Sequence, residues 1–215
     1  MPQSQKGWSY KFPGVRPFAS DGTNAVSFVG EVKATPTLPA LVAAQTGTLT
    51  TRTDDDTGIA TLSTGHTIES ADVVDVYWAA GVRHGMVATV TVNAIAIDGG
   101  AGDALPDQDT AVTVVVQTPI EINFDGDDAQ SVAVFYVNPS DTGAKAHLDL
   151  QDTGDNSIKE IDLVHEKANG ADAAIYDIAN GDTNVFSGER ITHGAASHDS
   201  LYAATLYVLV GITAV

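Results

Sequence analysis

Short alternating segments separated by turn residues run through most of the chain. Val74, Val76 and Trp78 fall on one side of an extended segment, with Asp75 and Tyr77 on the other. Ala88, Val90 and Val92 align in the same way, as do Ile95 with Ile97 and Ile120, Ile122 with Phe124. Further strands are expected over Val26 to Lys33, Gly47 to Thr53, Ile59 to Ser63 and Val112 to Gln117. In the second half, strands are expected around Val132–Tyr136, Leu148–Leu150, Ile158–Leu163 and Ala174–Ile178. The segment Leu206 to Ile212 is apolar on both faces, which predicts a central or covered strand. Turns are marked by Asp54-Asp55-Asp56-Thr57-Gly58, Asp125-Gly126-Asp127-Asp128, Asp152-Thr153-Gly154 and Asn180-Gly181. Asp98 to Asp103, with Gly99, Gly100 and Gly102, reads as a wide loop. Helix signals are confined to one short turn in Pro36 to Ala44 and an alternative reading of Lys159 to Ala168.

Strand signals recurring every eight to twelve residues predict an all-β chain: a small β-barrel or sandwich followed by a second β-sandwich. Thr118-Pro119 is the expected joint, giving an extended N-terminal arm over residues 1–24 and domains over 25–117 and 118–215. The arm is extended because Pro13 and Pro17, with Gly7 and Gly14, exclude a helix. No fixed-period repeat is visible, which disfavours solenoids and propellers.

Charge changes this picture more than any other quantity. The formal net charge is -18, from 28 acids against 10 bases. Such a surplus opposes nucleic-acid binding, which needs a basic face. No apolar run is long enough for a membrane helix, and no hydrophobic segment follows Lys6 and Lys11 as a secretory signal would require. With no cysteine, disulfides and thiolate chemistry are excluded. Abundant Asp with little Lys fits a salt-loving source, with a merely acidic surface as the plainer alternative. The charge is also unevenly placed. No acid precedes Asp21, and residues 1–20 hold Lys6, Lys11 and Arg16 beside Trp8, Tyr10, Phe12 and Phe18. Aromatic area and cations on an extended segment suit docking onto an acidic or apolar neighbour, so these seven residues are the candidate assembly contacts.

Catalytic signals are weak. His198-Asp199-Ser200 has the residue types of a hydrolase triad, but consecutive strand residues point in alternating directions and no nucleophile elbow is present. The six histidines lack metal-ligand spacing, although His193 and His198 are near one another in sequence. The Gly-rich stretch at 98–103 lacks the Lys and helix of a phosphate cradle. The Asp clusters at 54–56, 125–128 and 152–155 offer oxygen ligands without the EF-hand pattern, and read as solvated turns. The expectation is a non-enzymatic chain with no cofactor and no metal.

The run Thr48-Leu-Thr-Thr-Arg-Thr-Asp54, with Thr57-Gly58, Gly65-His66, Asp75-Val-Tyr-Trp78, Gly81-Val-Arg83 and Asp98-Gly-Gly100, resembles β-rich proteins encoded near the capsid genes of tailed phages and proviruses. The resemblance covers residues 47 to 106 and carries turn and strand positions, not functional residues. It implies a virion structural role: a capsid decoration (cement) protein on the outer capsid surface, met in the host cytoplasm during assembly. Implied partners are the major capsid protein or other virion subunits, and a homo-oligomer, trimer or pentamer, at lattice axes. An archaeal tailed virus of a halophilic host would account for the acidity. Two other readings stand beside it. One is a tail-tube or head–tail connector subunit. The other is a carbohydrate- or receptor-binding β module, with Trp78 and Tyr77 as a stacking platform.

Overall fold

The computed structural model describes residues 27–125, 131–138, 140–141, 143–152, 154–164, 175–177 and 190–214. In chain order these begin with β1 (Ser27–Ala34), β2 (Thr37–Leu38) and a single 3-10 turn at Ala43–Gln45. There follow β3 (Thr46–Arg52), β4 (Thr57–Leu62), β5 (Val73–Trp78), β6 (Gly81–Thr91), β7 (Ala94–Gly102) and β8 (Ala111–Val116). The remainder comprises β9 (Thr118–Asp125), β10 (Ser131–Val137), β11 (Lys145–Gln151), β12 (Ser157–Val164), β13 (Ile175–Asp177), β14 (Arg190–His198) and β15 (Ala204–Ala214). The fold is all-β, as the alternating pattern requires.

Two compact units are formed, and they are not arranged in series. One consists of Ala40–Thr118 with Ser197–Leu201; the other takes in the described residues up to Pro39, those from Pro119 to Ala196 and those from Tyr202 onward. β1 and β2, which the sequence reading grouped with the first half (25–117), pair elsewhere: β1 lies against β15 (Gly30 opposite Gly211), and β2 adds to the same strand. The chain enters the second unit, leaves it for the whole of β3–β8, and returns at Pro119.

The inserted unit is a closed six-stranded barrel in the order β3-β4-β7-β6-β5-β8, with β8 pairing back onto β3. Closure leaves the barrel without a free edge. Strand alternation sends Leu49, Leu62, Val74, Val76, Met86 and Ile97 inward, each at most 4% exposed. Full burial of such side chains contributes about 1.5–3 kcal/mol apiece. Ala60 and Ala88 supply the small volumes that so narrow an interior needs.

The Gly-rich run at 98–103 is not a wide loop: β7 continues as a strand through Gly102. The register places Gly85 opposite Gly100, and both have positive φ (68° and 73°). The ladder bends at this facing pair, and the absence of Cβ atoms permits it. A Cβ on Gly100 would collide with the backbone carbonyl of His84.

In the second unit, β1-β15-β10-β13 forms one sheet, with β2 also on β15, and β12-β11-β14-β9 forms another. Both contribute to one core, including Ile122, Tyr136, Leu148, Leu163, Leu206 and Val208. This is a β-sandwich. β15, apolar on both faces, lies between β1 and β10, the central position its pattern predicts. Over 157–164 the alternative helix is not formed; Ile161 and Leu163 are buried at strand period, paired with β11. β14 is not among the expected strands, because its inward positions are Gly194 and Ala196 rather than large apolar residues. A Cβ at Gly194 would sit 2.5 Å from the Asp149 carbonyl oxygen, so close strand packing selects the small residue that hides the signal.

The two kinds of glycine separate in a stability measurement. Gly65 has φ of 100° with open space around it, whereas Gly100 combines positive φ with a backbone collision. Gly65→Ala is expected to cost about 1–2 kcal/mol in urea unfolding, and Gly100→Ala clearly more. Equal costs would show that the bend at Gly100 is not tight.

Candidate functional site

Asp75 is the outlier within Val73-Val-Asp-Val-Tyr-Trp78: a carboxylate in an apolar strand, fully buried. Val74 and Val76 point into the barrel, so Asp75 and Tyr77 lie on its outer side. That side is also covered. Tyr77 packs with Val82, Val115 and Leu41, and residues Ser197–Leu201 belong to the same unit. The Leu41 amide donates to the Ser200 carbonyl at 3.0 Å.

The carboxylate accepts from three donors on distant segments. Its Oδ1 takes the Gly85 amide and the Gln117 Nε2, each at 2.8 Å. Its Oδ2 takes the Ser197 hydroxyl. Having given its only proton to Asp75, Ser197 must accept from the Tyr77 hydroxyl at 2.6 Å. The resulting Tyr77→Ser197→Asp75 relay, with the Gly85 amide and the Gln117 carboxamide, surrounds the carboxyl with uncharged donors. It has no histidine between serine and carboxylate, and its three groups are 0–2% exposed. Such an arrangement fixes backbone; it does not present a nucleophile.

Arg83 is a second convergence, 9% exposed. Its Nε donates to the Gly99 carbonyl at 2.7 Å, and its terminal nitrogens donate to Gly100 at 3.0 Å and Asp103 at 3.2 Å. Asp56 lies 3.9 Å from the same guanidinium. The planar fork thereby braces the end of β7, whose bent backbone presents its carbonyls to it. The turn between β3 and β4 is drawn to the same place, with the Gly99 amide on the Asp56 carbonyl (3.0 Å) and the Leu105 amide on that of Asp55 (2.8 Å).

Aspartates in and beside the turns are held by nearby backbone amides and side-chain donors. Asp54 accepts the Asp56 amide at 3.1 Å, and Asp98 accepts the Thr57 hydroxyl at 3.0 Å. In the turn after β11, Asp152 Oδ1 accepts the amides of Gly154 (2.7 Å) and Asn156 (3.0 Å), while Asn156 Nδ2 reaches Oδ2 at 3.0 Å. The side-chain bond from Asn156, followed by these amides, holds the Asp152 carboxyl below its usual pKa of 3.8. These oxygens serve as turn caps.

Of the expected residues, Lys6, Trp8, Tyr10, Lys11, Phe12, Arg16 and Phe18 all lie outside the described residues, as do most of the 125–128 cluster and His165. His198 ends β14 and is followed directly by Asp199 and Ser200, while the neighbouring Ser197 donates to the Asp75 carboxylate. His193 pairs with Asp155 at 2.9 Å. Trp78 and Tyr77 face opposite sides of β5, Tyr77 is buried, and a Cβ on Gly81 would strike the Trp78 ring. The two rings therefore share no stacking platform. Asp75, Arg83, Gln117 and Ser197 are not among the functional candidates read from sequence, although Asp75 and Arg83 fall in the motif stretches quoted there. An acid inside an apolar strand, and an arginine with no other base between Arg52 and Lys145, are the signals that point to the first two.

Three outcomes follow. Asp75→Ala strands three uncharged donors and is expected to cost about 1–3 kcal/mol for each one left unsatisfied. In a Tyr77→Phe/Ser197→Ala cycle, the coupling should reach about 1 kcal/mol, whereas additive losses would dissolve the relay. Asp152, its carboxyl depressed in the fold, contributes stability at and above the unfolded value. That contribution is lost only as pH falls through the lower folded value. A carboxyl-carbon NMR titration should place its midpoint below those of unbonded aspartates, and Asn156→Ala should raise it.

Comparison of the chain with known protein families, curated proteins and solved structures finds no match.

Proposed function

We propose that this chain is a non-enzymatic virion structural protein that decorates the outer capsid surface of a tailed virus, anchored to the capsid lattice through residues 1–20. The observation that carries this reading is the partition of charge. Residues 21–215 hold all 28 acids against seven bases, while the first twenty hold three bases, four aromatics and no acid. Within the barrel unit the bases are Arg52 and Arg83, the first paired with Asp55 and the second committed to carbonyls. The barrel surface is thus left strongly anionic, which keeps a multiply displayed body soluble and opposes nucleic acid. A basic aromatic arm repeated on many copies gains affinity by multivalency, as a lattice-bound protein needs. The acid surplus is best tolerated at high ionic strength, consistent with a halophilic host.

The convergent polar groups support the same reading. The relay at Asp75 and the fork at Arg83 spend their bonding capacity on the protein's own backbone and neighbouring side chains. No helix among the described residues is long and apolar enough to cross a membrane.

Deleting residues 1–20 should leave a folded β body that no longer co-sediments with capsids. Retained co-sedimentation overturns the anchoring role. Hundreds of copies per purified particle fit decoration, whereas a few copies fit a tail or connector ring.

A further inference from the structure

One broad outer face of the barrel carries almost no charge. The pairings of β4, β7, β6 and β5 set out its rows. A middle row runs Ile59, Ala96, Thr89; a row to one side runs Thr61, Ala94, Thr91. On the other side lie Thr57, Asp98, Val87 and Val73. Directly opposed residues share a face, and their neighbours along each strand, such as Ala60, Met86, Ala88 and Ile97, fill the barrel. At the usual strand and residue spacings this grid is about 14 Å on a side between side-chain centres. Val73 and Val87, paired across β5 and β6, are 43% and 50% exposed. At the end of the face, the β6–β7 turn holds Val92 81% exposed with φ of 57°, a strained conformation for a β-branched residue. Asp98 is the single charged residue of this grid, and it bonds Thr57.

We propose that this face packs against the same face of a second copy of the chain. The argument is electrostatic. A body with 28 acids repels its own copy wherever carboxylates meet, and two copies approach at lowest cost through the surface that lacks them. A cationic partner would instead be matched by the acidic turns. The residues are the β-branched and small types that interdigitate between stacked sheets, and Val73, Val87 and Val92 leave apolar surface exposed on and beside them. A two-fold axis along the middle row lays each Asp98 over the uncharged row of Thr91, Ala94 and Thr61, away from its counterpart. The contact is isologous and builds pairs, where lattice axes would lead one to expect threes or fives. It stands without the capsid reading, and its test needs no capsid.

The full chain, of 22.3 kDa, should sediment at twice its mass over a concentration series in about 0.15 M and about 2 M salt, with dissociation on dilution. Ala96→Glu should shift it to the single-chain mass with an unchanged β spectrum, whereas Val164→Glu, exposed on β12, should not. Because the chain has no cysteine, Ala96→Cys offers a second readout that does not disturb charge. Its thiol should react with a maleimide at least tenfold more slowly in the concentrated sample than after dilution. A single-chain mass throughout, a pair unaffected by Ala96→Glu, or a thiol equally reactive at all concentrations would each overturn the proposal. A thiol protected at every dilution but freed by deleting residues 1–20 would assign the face to the chain's own arm instead.

Discussion

A chain with nearly three acids for every base cannot neutralise its carboxylates by pairing them with cations, and the donors must be found elsewhere. The folded chain finds them in amides, hydroxyls and carboxamides. Asp75 is held by an amide, a glutamine and a serine; Asp152 by two amides and an asparagine. Arg83, a buried cation of the barrel, is turned to backbone carbonyls. Hydrogen bonds of this kind are short-ranged and little screened, so they persist where surface ion pairs weaken with salt. Charge is thereby removed from the problem of holding the barrel together and left as a property of its surface.

That separation gives the barrel its two characters. Turns at the strand ends concentrate acid, because Asp caps a turn and its carboxylate stays in water. The middle of the sheet, on β4 to β7, is Thr, Val, Ile and Ala, which suit a pleated surface and bring no charge. Strand bodies and strand ends therefore offer partners opposite chemistries on one small domain.

How much of this was legible in the sequence depends on the range of the interaction. The alternation of Val74, Val76 and Trp78, the two-sided apolar β15 and the Asp-rich turns are local patterns, and the all-β fold follows from them. The network at Asp75 was hidden because its partners lie 42 and 122 residues away, at Gln117 and Ser197. β14 was hidden because tight packing replaced its apolar signal with Gly194 and Ala196. The strand nature of 98–102 was masked by the very glycines that let β7 bend. The non-serial division escaped notice because nothing local in β1 announces that its neighbour is β15.

The pairing of β1 and β2 with β15 has a consequence for how the chain matures during synthesis. The barrel strands β3 to β8 are contiguous and can pair as soon as they leave the ribosome. The sandwich cannot close its main sheet until β15, the last described strand, is released. Ser197, which completes the Asp75 relay, arrives only shortly before it. Ribosomes that stall early would release chains with a formed barrel but an incomplete sandwich, its β1 edge unpaired by β15. The order of translation thus makes closure of the sandwich around β15 the last pairing among the described strands.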